Sequence, residues 1–200
     1  PSPMASFDKG SHIIDLLNWL EPDAMTLSKR EFIYDEDELS LRAGEALFPF
    51  VSSNLLDRTI GKNLPGVSDL VLLEKGGVKL GVLSVLDREL QEEYLLKRVQ
   101  VLPIYESVKQ QSEALKQQGA QYVLLTYAAP HPDILKLLDD QIVDIAISVS
   151  HDPQNLFPDV SDNHFQLSIA GDVLELDGSL NPLEPTAAIT KTLLKLSDFG

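Results

Sequence analysis

The 200-residue chain has no cysteine. That absence removes disulfides, thiolate metal sites and cysteine nucleophiles at once. Positive charge is also scarce: 16 Lys and Arg stand against 31 Asp and Glu, a formal net charge of -15. Such a balance argues against a nucleic-acid polymer as partner, because its backbone would be repelled, while a cationic partner or a metal-bridged phosphate stays open. No apolar run approaches the roughly 20 residues that cross a bilayer. The first ten residues, PSPMASFDKG, have neither the charged start nor the apolar core of a signal peptide, so any leader is expected to have been removed already. Gly-rich phosphate loops, serine nucleophile elbows, zinc-protease helices, internal repeats and low-complexity tracts are all missing.

What is present suffices for one core, with 44% hydrophobic residues. Helix-like and strand-like patterns alternate, the order expected of an α/β layered domain. Ser11 is placed to cap a helix that sets Ile13, Leu16, Leu17 and Leu20 on one face, with Pro22 near its end. A short strand then ends near Leu27, the loop SKREFIY follows, and Asp35 to Leu47 reads as a polar helix with an acidic first turn. FPFVSSNLL from Phe48 reads as one buried strand. Between Leu70 and Val85, two apolar runs flank Gly76 and Gly77, which predicts a hairpin. Pro103 and Gly119 bracket a long helix with Ile104, Val108 and Leu115 on one face. QYVLLTY and VDIAISVS read as buried strands around the short helix DILKLLDDQI. FQLSIAGDVLELDGSL predicts two short strands with a Gly-Asp turn, and residues 186–200 predict a final helix or the start of a linker.

Three polar loops follow buried strands: SKRE at Ser28 to Glu31, TYAAPHPD at Thr126 to Asp133, and SHDP at Ser150 to Pro153. Strand-end loops of an α/β sheet can converge on one crevice, although each taken singly is equally a solvated loop. Among the remaining histidines, His12 is expected to be a solvated or capping side chain and His164 to lie exposed in a loop. Ser112, Ser148 and Ser150 lack His and Asp partners at readable spacing.

The order of these segments carries a family resemblance. FDKGSHIIDLLNWLEPDAMTLSKREFIYDEDEL, then FPFVSSNLL, EKGGVKLGVLSV, ESVKQQSEALKQQGAQYVLLTY and VDIAISVSHDP resemble, in sequence order, the motif blocks of 5'-nucleotidase-type metallophosphoesterases. The likeness is strongest over residues 6–153. It implies the four-layer α/β sandwich of the calcineurin-like phosphoesterases in a single domain over residues 1–200, truncated at its start. The C-terminal substrate domain of 5'-nucleotidases is expected to be absent, and so is their nucleotide selectivity. The family's first ligand motifs, Asp-x-His and Gly-Asp, would precede Pro1, and without its first strand the sheet is expected to expose an edge that favours self-association.

In that family two divalent metals polarise a phosphate ester and activate a water, while a histidine assists the leaving group. Against the family's Gly-Asn-His-Glu this chain has Ser28, Lys29, Arg30 and Glu31, which puts Arg30 at the catalytic His position. Against Leu-Thr-His it has Tyr127 in place of His. Against Gly-His-x-His it has Ser150, His151, Asp152 and Pro153 or, counted from Asp144, Ser150 in place of the first His. Protonated Lys and Arg have no lone pair for a metal, and Tyr binds one only after losing a proton. His151, Asp152, His131 and Glu31 remain as metal-ligand candidates; Lys29 and Arg30 are candidates for pairing with Glu31 or Asp152, or for holding an anion.

Three functions stay open. The first is a domain that has lost two-metal hydrolysis and serves as a binding or scaffold module, with no cofactor expected. The second is a residual phosphoesterase that uses a Mn, Zn or Mg type metal and a site completed from outside the chain. The third is an anion-binding domain built on Lys29 and Arg30. The resemblance implies a periplasmic or extracellular location. Self-association or a partner protein is the expected assembly.

Overall fold

The computed structural model describes residues 8–150 and 163–168, together with residues 174, 177 and 179. In chain order the helices are α1 (Ser11–Leu20), α2 (Glu36–Glu45), α3 (Leu90–Glu93), α4 (Ile104–Gln117) and α5 (Pro132–Asp139). The strands are β1 (Met25–Thr26), β2 (Phe50–Val51), β3 (Leu55–Asp57), β4 (Val67–Ser68), β5 (Val71–Lys75), β6 (Val78–Val85), β7 (Val99–Val101), β8 (Tyr122–Tyr127), β9 (Ile145–Ser150) and β10 (His164–Ser168). They form a parallel three-stranded sheet β1-β2-β4, a five-stranded sheet β10-β9-β8-β6-β5 and a two-stranded ribbon β3-β7. In the five-stranded sheet only β5 runs antiparallel. This is the mixed α/β sandwich that the alternating sequence pattern predicts.

Each sheet has its own apolar core. One joins Ile14 of α1, Leu39 and Ala43 of α2, Phe32, Phe50 and Val67 to the ribbon residues Leu55, Val99 and Val101. The other packs Val108 and Leu115 of α4 and Ile134 and Leu137 of α5 against Leu83, Val123, Leu125 and Ala146 of the larger sheet. Gly81 lets α4 approach β6: a Cβ there would lie 2.6 Å from the Leu115 side chain, which has no exposed surface. Only glycine fits without displacing that buried leucine.

The β5–β6 hairpin turns on Gly76 and Gly77, both at positive φ (57° and 81°), the conformation the Gly-Gly pair predicts. Helix α4 runs between Pro103 and Gly119 as expected. Other expectations are corrected. Ser11 is the first residue of α1 and does not cap it; Gly10 holds the cap position, and the Asp8 carboxylate accepts from the backbone N–H groups of Gly10 and His12. His12 is half-buried and pairs with the same carboxylate at 2.7 Å. Of the apolar residues of α1 only Ile14 is buried, and Leu16 and Leu20 are more than half exposed. FPFVSSNLL is two strands in different sheets, because Ser52, Ser53 and Asn54 use their polar groups to cross between the layers. The segment SKREFIY contains a 3₁₀ turn, Lys29–Phe32. His164 opens β10 and is only 2% exposed, because β10 pairs in parallel with β9 from that residue onward. The second predicted strand after it and the final helix fall outside the described residues.

Two buried polar groups lock the layers. Asn54, with no exposed surface, donates through Nδ2 to the carbonyls of Leu86 (2.9 Å) and Leu102 (3.1 Å) and accepts from Leu86 N–H through Oδ1 (2.9 Å). Asp57, equally buried, accepts from Arg98 Nε and Nη2 at 2.8 and 2.7 Å and from Thr59 N and Oγ1 at 2.8 and 2.6 Å. The guanidinium hydrogen bond holds the Asp57 carboxyl down at about 2.

Asn54→Ala strands one buried N–H and two buried carbonyls, and is expected to cost on the order of 3 kcal/mol in denaturant unfolding. A loss below about 1 kcal/mol would show that water replaces the amide. The depressed Asp57 pKa stabilises the fold fully above the ordinary carboxyl value of 3.8, and this contribution is lost as pH falls toward about 2. Asp57→Asn is therefore expected to lower the urea midpoint at pH 6, with the gap to the parent closing between pH 4 and pH 2. A gap that does not change with pH would refute the linkage.

Candidate functional site

The parallel strands β1, β2, β6, β8 and β9 end in the segments that carry the polar motifs. After β1 the chain turns at once into the 3₁₀ segment, and Ser28 caps it. The Glu31 carboxylate accepts from Ser28 N–H at 2.6 Å and from Ser28 Oγ at 2.8 Å, while Ser28 Oγ accepts from Arg30 N–H, which makes a capping box. Partial burial pushes the Glu31 carboxyl above its ordinary value against those hydrogen bonds. Glu31 is thus engaged in shaping its own loop.

The two cations behind the cap diverge. Lys29 Nζ reaches the Glu93 carboxylate in α3 at 2.9 and 3.0 Å, across 64 residues of sequence, and the pair is half exposed. Hydrogen bonding to Glu93 raises the Lys29 pKa, so this ammonium is charged at any neutral pH. Arg30 is exposed, and its guanidinium makes no hydrogen bond or ion pair among the described residues. The expected partner Glu31 does not form an ion pair with either cation; Asp152 lies outside the described residues.

Tyr127 closes β8 on the face that packs against α4 and α5 and is 3% exposed. Its hydroxyl hydrogen-bonds His164 Nε2. Burial pushes the phenol up to about 12 and pushes the imidazole down, which favours the neutral form of both partners. Ser148, the register partner of Tyr127 on β9, is buried beside it and slightly favours the ionised phenol, though its Oγ makes no well-formed hydrogen bond among the described residues. Ser112, by contrast, donates to the Ile142 carbonyl at 2.5 Å.

The remaining candidates separate. His131 is the N-cap of α5, where Nδ1 accepts from Asp133 N–H at 3.2 Å. The Ser150 backbone belongs to β9 and pairs with Ser168. His151, Asp152 and Pro153 lie outside the described residues. Glu93 and His164 are the two functional partners that sequence reading missed. Nothing local points to Glu93. The apolar pattern starts the strand at Phe165, so His164 reads as the preceding loop, whereas β10 begins with it.

No protein-family model and no curated protein matches the chain significantly. Solved structures do. The calcineurin-like phosphoesterase YfkN from Bacillus subtilis superposes with a TM-score of 0.61 at 26% identity, covering 74% of this chain and 50% of that one. The 5'-nucleotidase precursor from Thermus thermophilus gives 0.64 at 17% identity, covering 90% and 40%. The sulfate thiohydrolase SoxB from Thermus thermophilus gives 0.62 at 15% identity, covering 84% and 31%. The chain spans half or less of each of these proteins. These likenesses give the chain the calcineurin-like phosphoesterase fold.

Proposed function

We propose that this domain is a binding or scaffold module on a phosphoesterase fold and has lost two-metal phosphoester hydrolysis. The observation that carries the reading is the Lys29–Glu93 ion pair at 2.9 Å: the position of a neutral metal-binding amide is taken by an ammonium, and its charge is answered by a carboxylate of this chain. The neighbouring groups fit a two-metal centre no better. Arg30 is a permanent cation, Glu31 is engaged in the capping box, and Tyr127 holds its proton to about 12. Among the described residues no three His, Asp or Glu side chains are grouped to hold an ion. Fold alone does not fix a substrate, since the similar structures include both a 5'-nucleotidase precursor and a sulfate thiohydrolase. By analogy with the precursor form of the Thermus thermophilus nucleotidase, an exported location belongs to this reading. Among the described residues no helix is long and apolar enough to cross a membrane.

One observation favours a second role for the same loop. The exposed Arg30 guanidinium has a planar fork suited to a phosphate or carboxylate. Under this reading the loop is an anion site that needs no metal.

Calorimetric titration with manganese, followed by a p-nitrophenyl phosphate assay, tests the first reading. The expected result is no stoichiometric two-ion binding and no turnover; tight binding of two ions with turnover overturns it. Titration with inorganic phosphate in the presence of a chelator tests the second. Binding abolished by Arg30→Ala supports it, and no heat of binding refutes it.

A further inference from the structure

Helix α1 is apolar on more sides than the fold uses. Ile14 is buried and Leu17 packs partly against the core, yet Ile13 is 43% exposed, Leu16 56%, Leu20 58% and Trp19 79%. Ile13, Leu16 and Leu20 fall on one line at i, i+3 and i+7, with Trp19 beside it. Leu47, 85% exposed, is held next to the same helix, because its backbone N–H donates to Asn18 Oδ1 at 2.7 Å and Asn18 Nδ2 donates to the Glu45 carbonyl at 3.0 Å. An isolated exposed leucine is ordinary, whereas five large apolar side chains around one short helix are not.

We propose that this face is the contact surface of a symmetric dimer, in which α1 of one copy packs against α1 of a second copy. Area supports that occupant. With about 150–250 Å² for the tryptophan and less for each leucine and isoleucine, the exposed fractions leave on the order of 500 Å² of apolar surface. A stable interface buries about 800 Å² per partner, and homodimer interfaces are about two-thirds apolar. The two quantities agree. The stripe is also self-complementary: in an antiparallel crossing about a twofold axis, Leu16 meets Leu16 and Ile13 meets Leu20 of the other copy. Charge permits it. Asp15 lies off the stripe, His12 in the first turn is engaged with the Asp8 carboxylate, and the repulsion of two acidic chains at longer range is screened by salt. A membrane surface is the poorer match, because the helix has no Lys or Arg and the chain is acidic. The open edge of the three-stranded sheet, β1, begins a few residues after α1 ends.

Trp19 is the single tryptophan of the sequence and sits in this face, so its fluorescence reports the contact directly. Sedimentation equilibrium of the 200-residue chain at about 100 µM in moderate salt is expected to give twice 22.1 kDa. Tryptophan emission is expected to shift to the blue with increasing concentration. Leu16→Glu, at an exposed helix position, should weaken the dimer at least about 100-fold and hold the emission red-shifted. Its circular dichroism and thermal midpoint should match a dilute parent sample. Leu20→Gln gives an independent reading if the first variant folds poorly. A parent chain that is monomeric at this concentration overturns the proposal, as does a dimer that both variants leave intact. A monomer whose tryptophan shifts only on adding neutral phosphatidylcholine vesicles assigns the face to a membrane and overturns it equally.

Discussion

The turn Ser52–Ser53–Asn54 is the constraint from which the rest of the structure follows. Strand β2 ends at Val51; Ser52 N–H still bonds Ser68 of the same sheet, and the next two residues carry hydrogen bonds out of it. Ser53 N–H donates to the Ser84 carbonyl at 2.6 Å, Ser84 N–H donates back to Ser53 Oγ at 3.1 Å, and Asn54 grips Leu86 and Leu102. Each of these groups is buried, so none has water as an alternative partner. The seam fixes the end of β2 against the end of β6, which sets the strand-end loops of the two sheets beside each other. A polar seam does this better than apolar packing because an apolar contact can slide, whereas an amide with three directed bonds holds one register.

That placement is what makes the identity of the loop residues after β1 consequential. Lys29 reaches Glu93 because α3 follows β6 directly, and the seam holds β6 to β2, the neighbour of β1. The ion pair is half exposed and adds little to stability, of the order of 0–1 kcal/mol. Its meaning is chemical. A carboxylate paired to an ammonium, a glutamate turned back to cap its own turn and a phenol that keeps its proton are three groups whose lone pairs or charges are already committed within the chain.

How much of this could be read in the sequence depended on distance along the chain. The hairpin at Gly76 and Gly77 and the helix between Pro103 and Gly119 are specified by local backbone preference, and both were read within a residue or two. The order of the motif blocks gave the fold, and the substitutions at Lys29, Arg30 and Tyr127 were visible one residue at a time. The partners were not, because Glu93 lies 64 residues from Lys29 and His164 lies 37 from Tyr127. His164 escapes the sequence pattern because the strand reads as starting at Phe165, one residue after β10 begins. At α1 the spacing of leucines identified a helix correctly but could not say which of two apolar sides meets the core. Ser11 was misplaced by one residue because Asp8, two residues before Gly10, supplies the capping carboxylate.

The acidity of the chain acquires a spatial sense from the same contacts. Its ion pairs are arranged as local stitches: Arg42 with Glu38 and Glu45 along one helix, Arg98 with Asp57 and Asp37 between the ribbon and α2, Lys75 with Asp23, and Lys29 with Glu93. The Arg98, Lys75 and Lys29 pairs join segments distant in sequence, the Arg42 pairs stay within one helix, and repulsion among exposed carboxylates is screened by salt. Arg30, like Arg58, Lys62, Arg88, Lys97 and Lys109, forms no ion pair among the described residues. Arg30 stands after a strand end beside a paired lysine, and its charge favours the ionised form of the neighbouring Glu31 carboxyl against the effect of burial.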